Sequence, residues 1–184
     1  MTDDPLAWET LTSETVYTCP GFDVVHDDVR LPNGTDTDFD YLSEPPAVVI
    51  LPFTPEGDVV VIEEWRQAVD RVNRGLPAGT TESHDDDFAS AARRELEEET
   101  GYRADRVEAL DTVEPANGVA NAVHHHFVAQ GCRPTGEQDL DEDETIRVTT
   151  EPFEDLYADV LAGDVRDGRM ALALLAYAAR ERNA

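Results

Sequence analysis

Three glutamates, Glu95, Glu98 and Glu99, stand at i, i+3 and i+4 in the stretch AARRELEEETGY, residues 91–102. That spacing brings side chains onto one face of an α-helix. Carboxylates stacked this way repel one another and weaken the helix unless something neutralises them. Divalent cations do so well: Mg²⁺ takes carboxylate oxygens, water and substrate phosphates as ligands, and Mn²⁺ accepts the same oxygen donors. Arg94 is placed to hydrogen-bond an acidic neighbour and so orient the cluster. Ala91 and Ala92, one turn earlier, are small enough to leave space beside it. Glu97 points away, within reach of Arg93.

The competing reading is a solvated, glutamate-rich helix face, and composition gives it weight. Of 184 residues, 41 are Asp or Glu and 14 are Lys or Arg, a formal net charge of −27. All the basic residues are arginine. Yet 40% of the chain is hydrophobic, in periodic runs, which a disordered acidic tail does not have. Such self-repulsion is tolerable where salt screens it, since the Debye length falls to about 3 Å near 1 M salt. The absence of lysine and the charge together point to a halophilic, salt-in cytoplasm. No basic stripe exists to neutralise phosphates, so neither nucleic acid nor an anionic membrane is expected as a partner. Cys19 and Cys132 are too few for a disulfide framework and fit a reducing compartment. The start MTDDPLAWET has no apolar h-region, so no signal peptide is expected. The longest apolar stretch, MALALLAYAA at 170–179, is too short to span a bilayer. The expectation is a cytoplasmic protein.

The elements that must hold the glutamates are legible from period and punctuation. Short strands are expected in ETVYTC, FDVVHDDVRL and DFDYL, with a turn at PNG, forming an N-terminal sheet over residues 1–44. From 45 to 184 the pattern strengthens. AVVILPF and DVVVIEEWR flank the turn TPEGD, and their near-continuous apolar character implies burial on both faces. After GLPAG the period lengthens: DDDFASAARRELEEET opens on N-capping aspartates and stops at Gly101. Strands are expected around 103–114, in NAVHHHFVAQ and in IRVTT, with EQDLDEDET as a charged loop. PFEDLYADVLAG and DGRMALALLAYAARER close the chain as amphipathic helices. Strands and helices mixed this way indicate an α/β sandwich.

The segment GTTESHDDDFASAARRELEEETGY resembles the Nudix box: Gly, five residues, Glu, seven residues, then Arg-Glu-apolar-x-Glu-Glu-x-Gly-apolar. The second half matches from Arg94 to Tyr102. In the first half Asp86 stands where the family has Glu, and six residues rather than five separate it from Gly79. The flanks are most similar to the family's ADP-ribose pyrophosphatase branch, over nearly the whole chain. The resemblance implies a Nudix-type α/β/α sandwich with a mixed sheet, plus a small N-terminal antiparallel sheet that forms a homodimer. It implies that the Ala78 carbonyl joins Glu95, Glu98 and Glu99 as a metal ligand. Glu82 of LPAGTTE becomes a metal or substrate contact, and Arg66 of IEEWRQ a substrate-phosphate contact. The loop DLDEDET, at Glu144 or Glu142, delivers the catalytic base. At EPANGVANAV the match weakens: Gly118 lies in a loop that shapes the substrate pocket, where many relatives have Ser-Pro-Gly.

The activity so implied is Mg²⁺-dependent hydrolysis of the diphosphate linkage of ADP-ribose or a similar nucleoside diphosphate sugar, with Mn²⁺ as an alternative ion. Cleaving that linkage needs charge neutralisation, an activated water and in-line positioning. Cations in the site also explain how so acidic a protein takes an anionic substrate. The other readings are a hydrolase of another nucleoside diphosphate derivative, and a non-catalytic Nudix-fold nucleotide sensor. His124, His125 and His126 alternate across a strand and read as packing or a pocket rim rather than a metal tract. Trp8 and Trp65 are expected in the core or an interface, or, near the N-terminal sheet, stacked on an adenine.

Overall fold

The computed structural model describes residues 4–141 and 144–182, and the chain divides into two units: Met1–Pro46 with Glu114–Val123, and Ala47–Val113 with His124–Ala184. The first unit holds an antiparallel sheet of β1 (Glu9–Thr18), β2 (Asp23–Arg30) and β3 (Asp36–Ser43), in that order. Its segment 114–123 returns to β3, where the Leu42 amide donates to the Val119 carbonyl and the Asn121 amide to the Leu42 carbonyl. Val29, Ala120 and Ala122 are its buried apolar residues among those described. Trp8 stays half exposed, packed edge-on to Phe39.

The second unit is built on β4 (Ala47–Phe53) and β5 (Asp58–Arg66), the two apolar runs. Val48 to Leu51 and Val59 to Val61 are fully buried, as continuous rather than alternating hydrophobicity requires. Successive side chains enter two different cores. Val49, Leu51, Val59 and Val61 pack with Leu76, Leu156, Met170, Ala173 and Leu174, whereas Val48, Ile50 and Val60 pack with Ala91, Ala92, Leu96, Phe127 and Ala129. β6 (Arg71–Gly75) and β7 (Ala78–Thr80) follow, then α1 (Phe88–Thr100), β8 (Tyr102–Arg103) and β9 (Arg106–Val113). β10 (His124–Gln130), β11 (Arg133–Pro134), β12 (Ile146–Pro152), α2 (Phe153–Ala162) and α3 (Gly168–Glu181) complete the unit. The sheet runs β12-β5-β4-β10-β9, with β6 on β5 and β7 on β4. β10 lies parallel to β4 and the remaining pairs are antiparallel. α1 covers one face, and α2 and α3 the other, which is the α/β/α sandwich expected.

Three short strands, β6, β7 and β11, were not expected. β6 and β7 carry Arg, Asn and Gly, and period-two reasoning leaves such residues as loop; tertiary pairing makes them strands. β5 pairs with β4 at Phe53 and Val59 and then with β6, while β7 lies beside Ala47–Val49 of β4. α1 starts as its sequence demands. The Asp87 side chain accepts from the Ser90 amide, and the Ser90 hydroxyl side accepts from the Asp87 amide. Gly101 ends the helix at φ 72°, a left-handed conformation that favours glycine, and its amide donates to the Glu97 carbonyl. Ala91 and Ala92 are in the core, not beside the glutamates: their face of α1 meets β4. Trp65 is half exposed, contrary to a core reading. No helix among the described residues is long and apolar enough to cross a membrane.

Candidate active site

The helix glutamates differ in burial because α1 rotates them to different depths against β7. Glu99 is 3% exposed and Glu95 9%, while Glu98 is only part-buried. Glu99 accepts a hydrogen bond from the Ala78 amide at 2.9 Å, which joins the helix to β7. Burial pushes the Glu99 carboxyl up to about 8, against that amide, with Glu95 and Glu144 repelling it further. Burial likewise raises Glu95 to about 7, opposed by Arg94 and assisted by Glu98 and Glu144. Two carboxyls held this close to neutrality at physiological pH are an unusual charge state for the acid-rich face of a helix, and one that marks functional sites.

Arg94 is the hub. Its Nη1 donates to Glu95 and Glu98, both at 2.8 Å. Its Nη2 donates to the Thr80 carbonyl at 3.0 Å and to Asp85 at 3.0 Å, and its Nε to Asp85 at 3.2 Å. Glu82 lies 3.5 Å from the same guanidinium. Burial works against the charge, but the bonds to Asp85, Glu98 and Glu95 outweigh it and raise the pKa further. Asp85, in turn, is held low chiefly by its bond to Arg94.

That bond corrects the sequence alignment of the box. Asp86 is exposed, and the acid that grips Arg94 is Asp85, which keeps the family's five-residue spacing from Gly79. The additional residue falls between the acid and the helix, where Asp86 and Asp87 make room for the N-cap. The five-residue spacing to Gly79 was a signal that could have found it, but counting back from Arg94 pointed to Asp86 instead. Gly79 itself is required for close approach: a Cβ there would collide with the Glu95 carboxyl. Gly79→Ala should therefore leave the fold intact and lower kcat about 10- to 100-fold by displacing Glu95, measured alongside circular dichroism. An active variant would remove Glu95 from the site.

The acidic loop is tied to the end of α1. The Gln138 side chain donates to the Glu99 carbonyl at 2.6 Å and to the Ile146 carbonyl at 3.3 Å, and the Asp139 amide to the Glu98 carbonyl at 2.9 Å. Glu144 accepts from the Asp141 amide at 3.1 Å and lies close enough to raise the pKa of Glu95, Glu99 and Glu64. Glu142 lies outside the described residues. Arg66, at the end of β5, is ion-paired with Glu64, which is raised by burial. Gln138 and Glu64 were missed by the sequence reading, although they lie in the segments EQDLDEDET and IEEWRQ, because nothing local to either shows what its side chain touches. Glu97 pairs with Arg103, and Arg93 instead donates to the Ala89 carbonyl.

Gly118 belongs to the first unit, in a turn where the Val119 and Ala120 amides both donate to the Ala116 carbonyl. That unit also holds His26, Asp38 and Asp40, whose ligand atoms all lie within 4.8 Å of one another; His26 and Asp40 are already joined at 2.7 Å. The histidine triplet alternates as expected. His125 stacks on Phe88 with ring centroids 3.7 Å apart. His126, 1% exposed, is pushed down to about 4 by burial.

Comparison with known proteins gives the family of the chain. The Nudix domain matches residues 43–173, and the nucleoside diphosphate sugar hydrolase N-terminal domain matches residues 8–42. The chain is 31% identical over 167 residues, 90% of each sequence, to an ADP-ribose pyrophosphatase of Bacillus subtilis (strain 168). It is 32% identical over 140 residues to a GDP-mannose pyrophosphatase of Yersinia pestis (strain Pestoides F), covering 72% of this chain and 69% of that one. It is also 32% identical over 139 residues, 75% of each, to a methanol dehydrogenase activator of Bacillus methanolicus. A crystal structure of an ADP compounds hydrolase shares the fold, with a TM-score of 0.84 at 23% identity over 99% of this chain and 98% of that one.

Proposed function

The chain belongs to the Nudix family and is a Nudix pyrophosphatase, and on that premise we propose that it hydrolyses the diphosphate linkage of ADP-ribose with Mg²⁺, giving AMP and ribose 5-phosphate. The observation that carries the reading is the helix face on which Arg94 holds Glu95 and Glu98 and the Ala78 amide holds Glu99, with Glu95 and Glu99 buried and raised toward neutrality. The donors are all oxygens, which suits a hard divalent cation. A cation at that place would offset both the burial and the repulsion that raise the two pKa values. Glu95, Glu98, Glu99 and the Ala78 carbonyl would hold it. When bound, the ion neutralises the diphosphate oxygens and acidifies the attacking water.

The rest falls to side chains. Arg66 offers a guanidinium fork to a substrate phosphate, and Glu82 reaches the substrate from the segment before α1. Arg94 keeps Glu95 and Glu98 from turning away. Glu144 accepts the proton of the water that attacks phosphorus, while the leaving phosphate departs with its bridging oxygen. The first unit by itself has a cavity of about 330 Å³ lined by Phe39, Tyr41, Asn117 and Asn121 among others. Every residue of β1 is exposed, as are Leu6 and Tyr17 beside or within it, which supports a homodimer formed through this sheet.

Release of AMP from ADP-ribose, in high salt with Mg²⁺ and abolished by EDTA, tests the reading. Faster turnover of GDP-mannose in the same panel would move the substrate assignment, and no release from any nucleoside diphosphate sugar would end it. Glu144→Gln should lower kcat about 100- to 10,000-fold with KM and Mg²⁺ dependence retained, because the amide has no basic oxygen. Glu142→Gln should cost much less. Full turnover in the double variant would place the base elsewhere.

A further inference from the structure

Glu64 and Arg66 stand two residues apart on β5, on the same face of the strand, and their side chains meet through Arg66 Nε and Glu64 Oε1. The Glu64 side chain is only 13% exposed against 38% for Arg66. A buried carboxylate is costly unless paired, so the pair fixes the inner half of Arg66 at a defined place. Cross-strand neighbours fix Glu64 from both sides. Asn73 of β6 and Ile146 of β12 stand opposite it. Asn73 is itself anchored, donating to Asp167 at the cap of α3 at 2.8 Å. Ile146 is buried and follows Glu144 by two residues. The strand that follows the loop carrying the proposed base is therefore paired with β5 at this residue, whose carboxylate meets Arg66.

A guanidinium has two edges that can make paired hydrogen bonds. A carboxylate on Nε occupies the side edge and leaves the end edge, Nη1 and Nη2, for a second anion. From this geometry we infer that Glu64 is a positioning residue: it pins Arg66 by its Nε edge so that the two terminal nitrogens meet a substrate phosphate together. Without the pin, Arg66 is a long side chain at a strand end with its rotamers unlocked, and ordering it must be done by the substrate. Arg169 of α3 acts on Glu64 as well, since both guanidiniums offset the burial of its carboxyl.

The inference rests on Arg66 contacting substrate, so the test must separate the two. KM and kcat for ADP-ribose are measured for Glu64→Ala, Glu64→Gln, Arg66→Ala and the double variant Glu64→Ala/Arg66→Ala, with Mn²⁺ affinity of each protein by calorimetry. Arg66→Ala is expected to raise KM about 30-fold or more, and Glu64→Ala about tenfold with kcat within about threefold. Glu64→Gln should recover most of that loss, because its amide oxygen still accepts from Nε. The double variant should be no worse than Arg66→Ala alone, and Mn²⁺ affinity should not move. A wild-type KM in Glu64→Ala alongside a raised KM in Arg66→Ala overturns the role of Glu64 alone. Loss of kcat and Mn²⁺ affinity in Glu64→Gln makes it a metal ligand instead, which also overturns it. A silent Arg66→Ala removes the phosphate reading and the positioning role with it.

Discussion

Glu99→Gln is expected to lower kcat on the order of 1,000-fold, the rate equivalent of about 4 kcal/mol, and yet to make the cation-free protein more stable at neutral pH. Both effects have one origin. Glu99 is 3% exposed, and burial raises its pKa to about 8 from the ordinary 4.5. A carboxyl whose pKa is higher in the folded state binds its proton more tightly there. Its contribution to stability is complete below about pH 4.5 and is lost as pH rises through about 8. At one pKa unit to about 1.4 kcal/mol, roughly 4 kcal/mol of stability is at stake by pH 8, on the order of 10 °C in Tm for a domain of this size. Glutamine keeps an oxygen for the Ala78 amide and has no proton to lose. The wild-type protein in EDTA should therefore show Tm falling from pH 5 to pH 8, while the variant falls less. Mg²⁺ should raise the wild-type Tm at pH 8 and leave that of the variant nearly unchanged.

The control is Glu97→Gln. Glu97 pairs with Arg103 away from the cluster, so this change should alter neither turnover nor the pH slope by much. Equal losses of turnover in the two variants would mean that the helix glutamates act together as a surface property and not as a cage. Parallel pH slopes in wild type and Glu99→Gln would mean that Glu99 is ionised at its ordinary pKa, and so is not desolvated.

The particular residues show which parts of this site could be read from the chain. The i, i+3, i+4 glutamates, the N-capping aspartates and Gly101 obey local rules, and the helix forms where those rules put it. β4 and β5 were legible because a run apolar on both faces has few destinations. Asp85 was misassigned to Asp86 because an alignment counts from one anchor, and here the two anchors, Gly79 and Arg94, disagree by one residue. Only geometry decides which acid reaches the guanidinium. β6 and β7 are strands because β5 and β4 offer them partners, a tertiary fact with no local trace. Gln138 was invisible for the same reason, since it matters through Glu99, far away in sequence; Glu64 matters through Arg66, two residues on, and only the geometry shows that their side chains meet.

Lowering KCl from about 3 M to about 0.1 M in EDTA is expected to unfold the first unit before the second. Screening is the general cause: the Debye length grows from under about 3 Å to about 10 Å, and 41 acidic residues face 14 arginines. Many of those arginines are already committed, as with Arg30 to Asp36, Arg74 to Glu151 and Asp159, Arg133 to Asp105 and Arg147 to Glu63. The excess carboxylates have solvent cations as their remaining counter-charge. The first unit has the weaker reserve. Its described core is Val29, Ala120 and Ala122, whereas the second unit has two clusters of buried apolar side chains. Its sheet also sets Asp28 directly opposite Asp38, a like-charge pair across β2 and β3 that destabilises whenever salt does not screen it. The two tryptophans separate the units, Trp8 in the first and Trp65 in the second. In Trp65→Phe protein the fluorescence of Trp8 should change at higher KCl than that of Trp65 in Trp8→Phe protein, with far-UV circular dichroism following the later transition. Coincident transitions would make the two units one cooperative body. Signals that stay flat down to low salt would show that the charge excess is no burden on the fold, and would remove the halophilic reading of the composition.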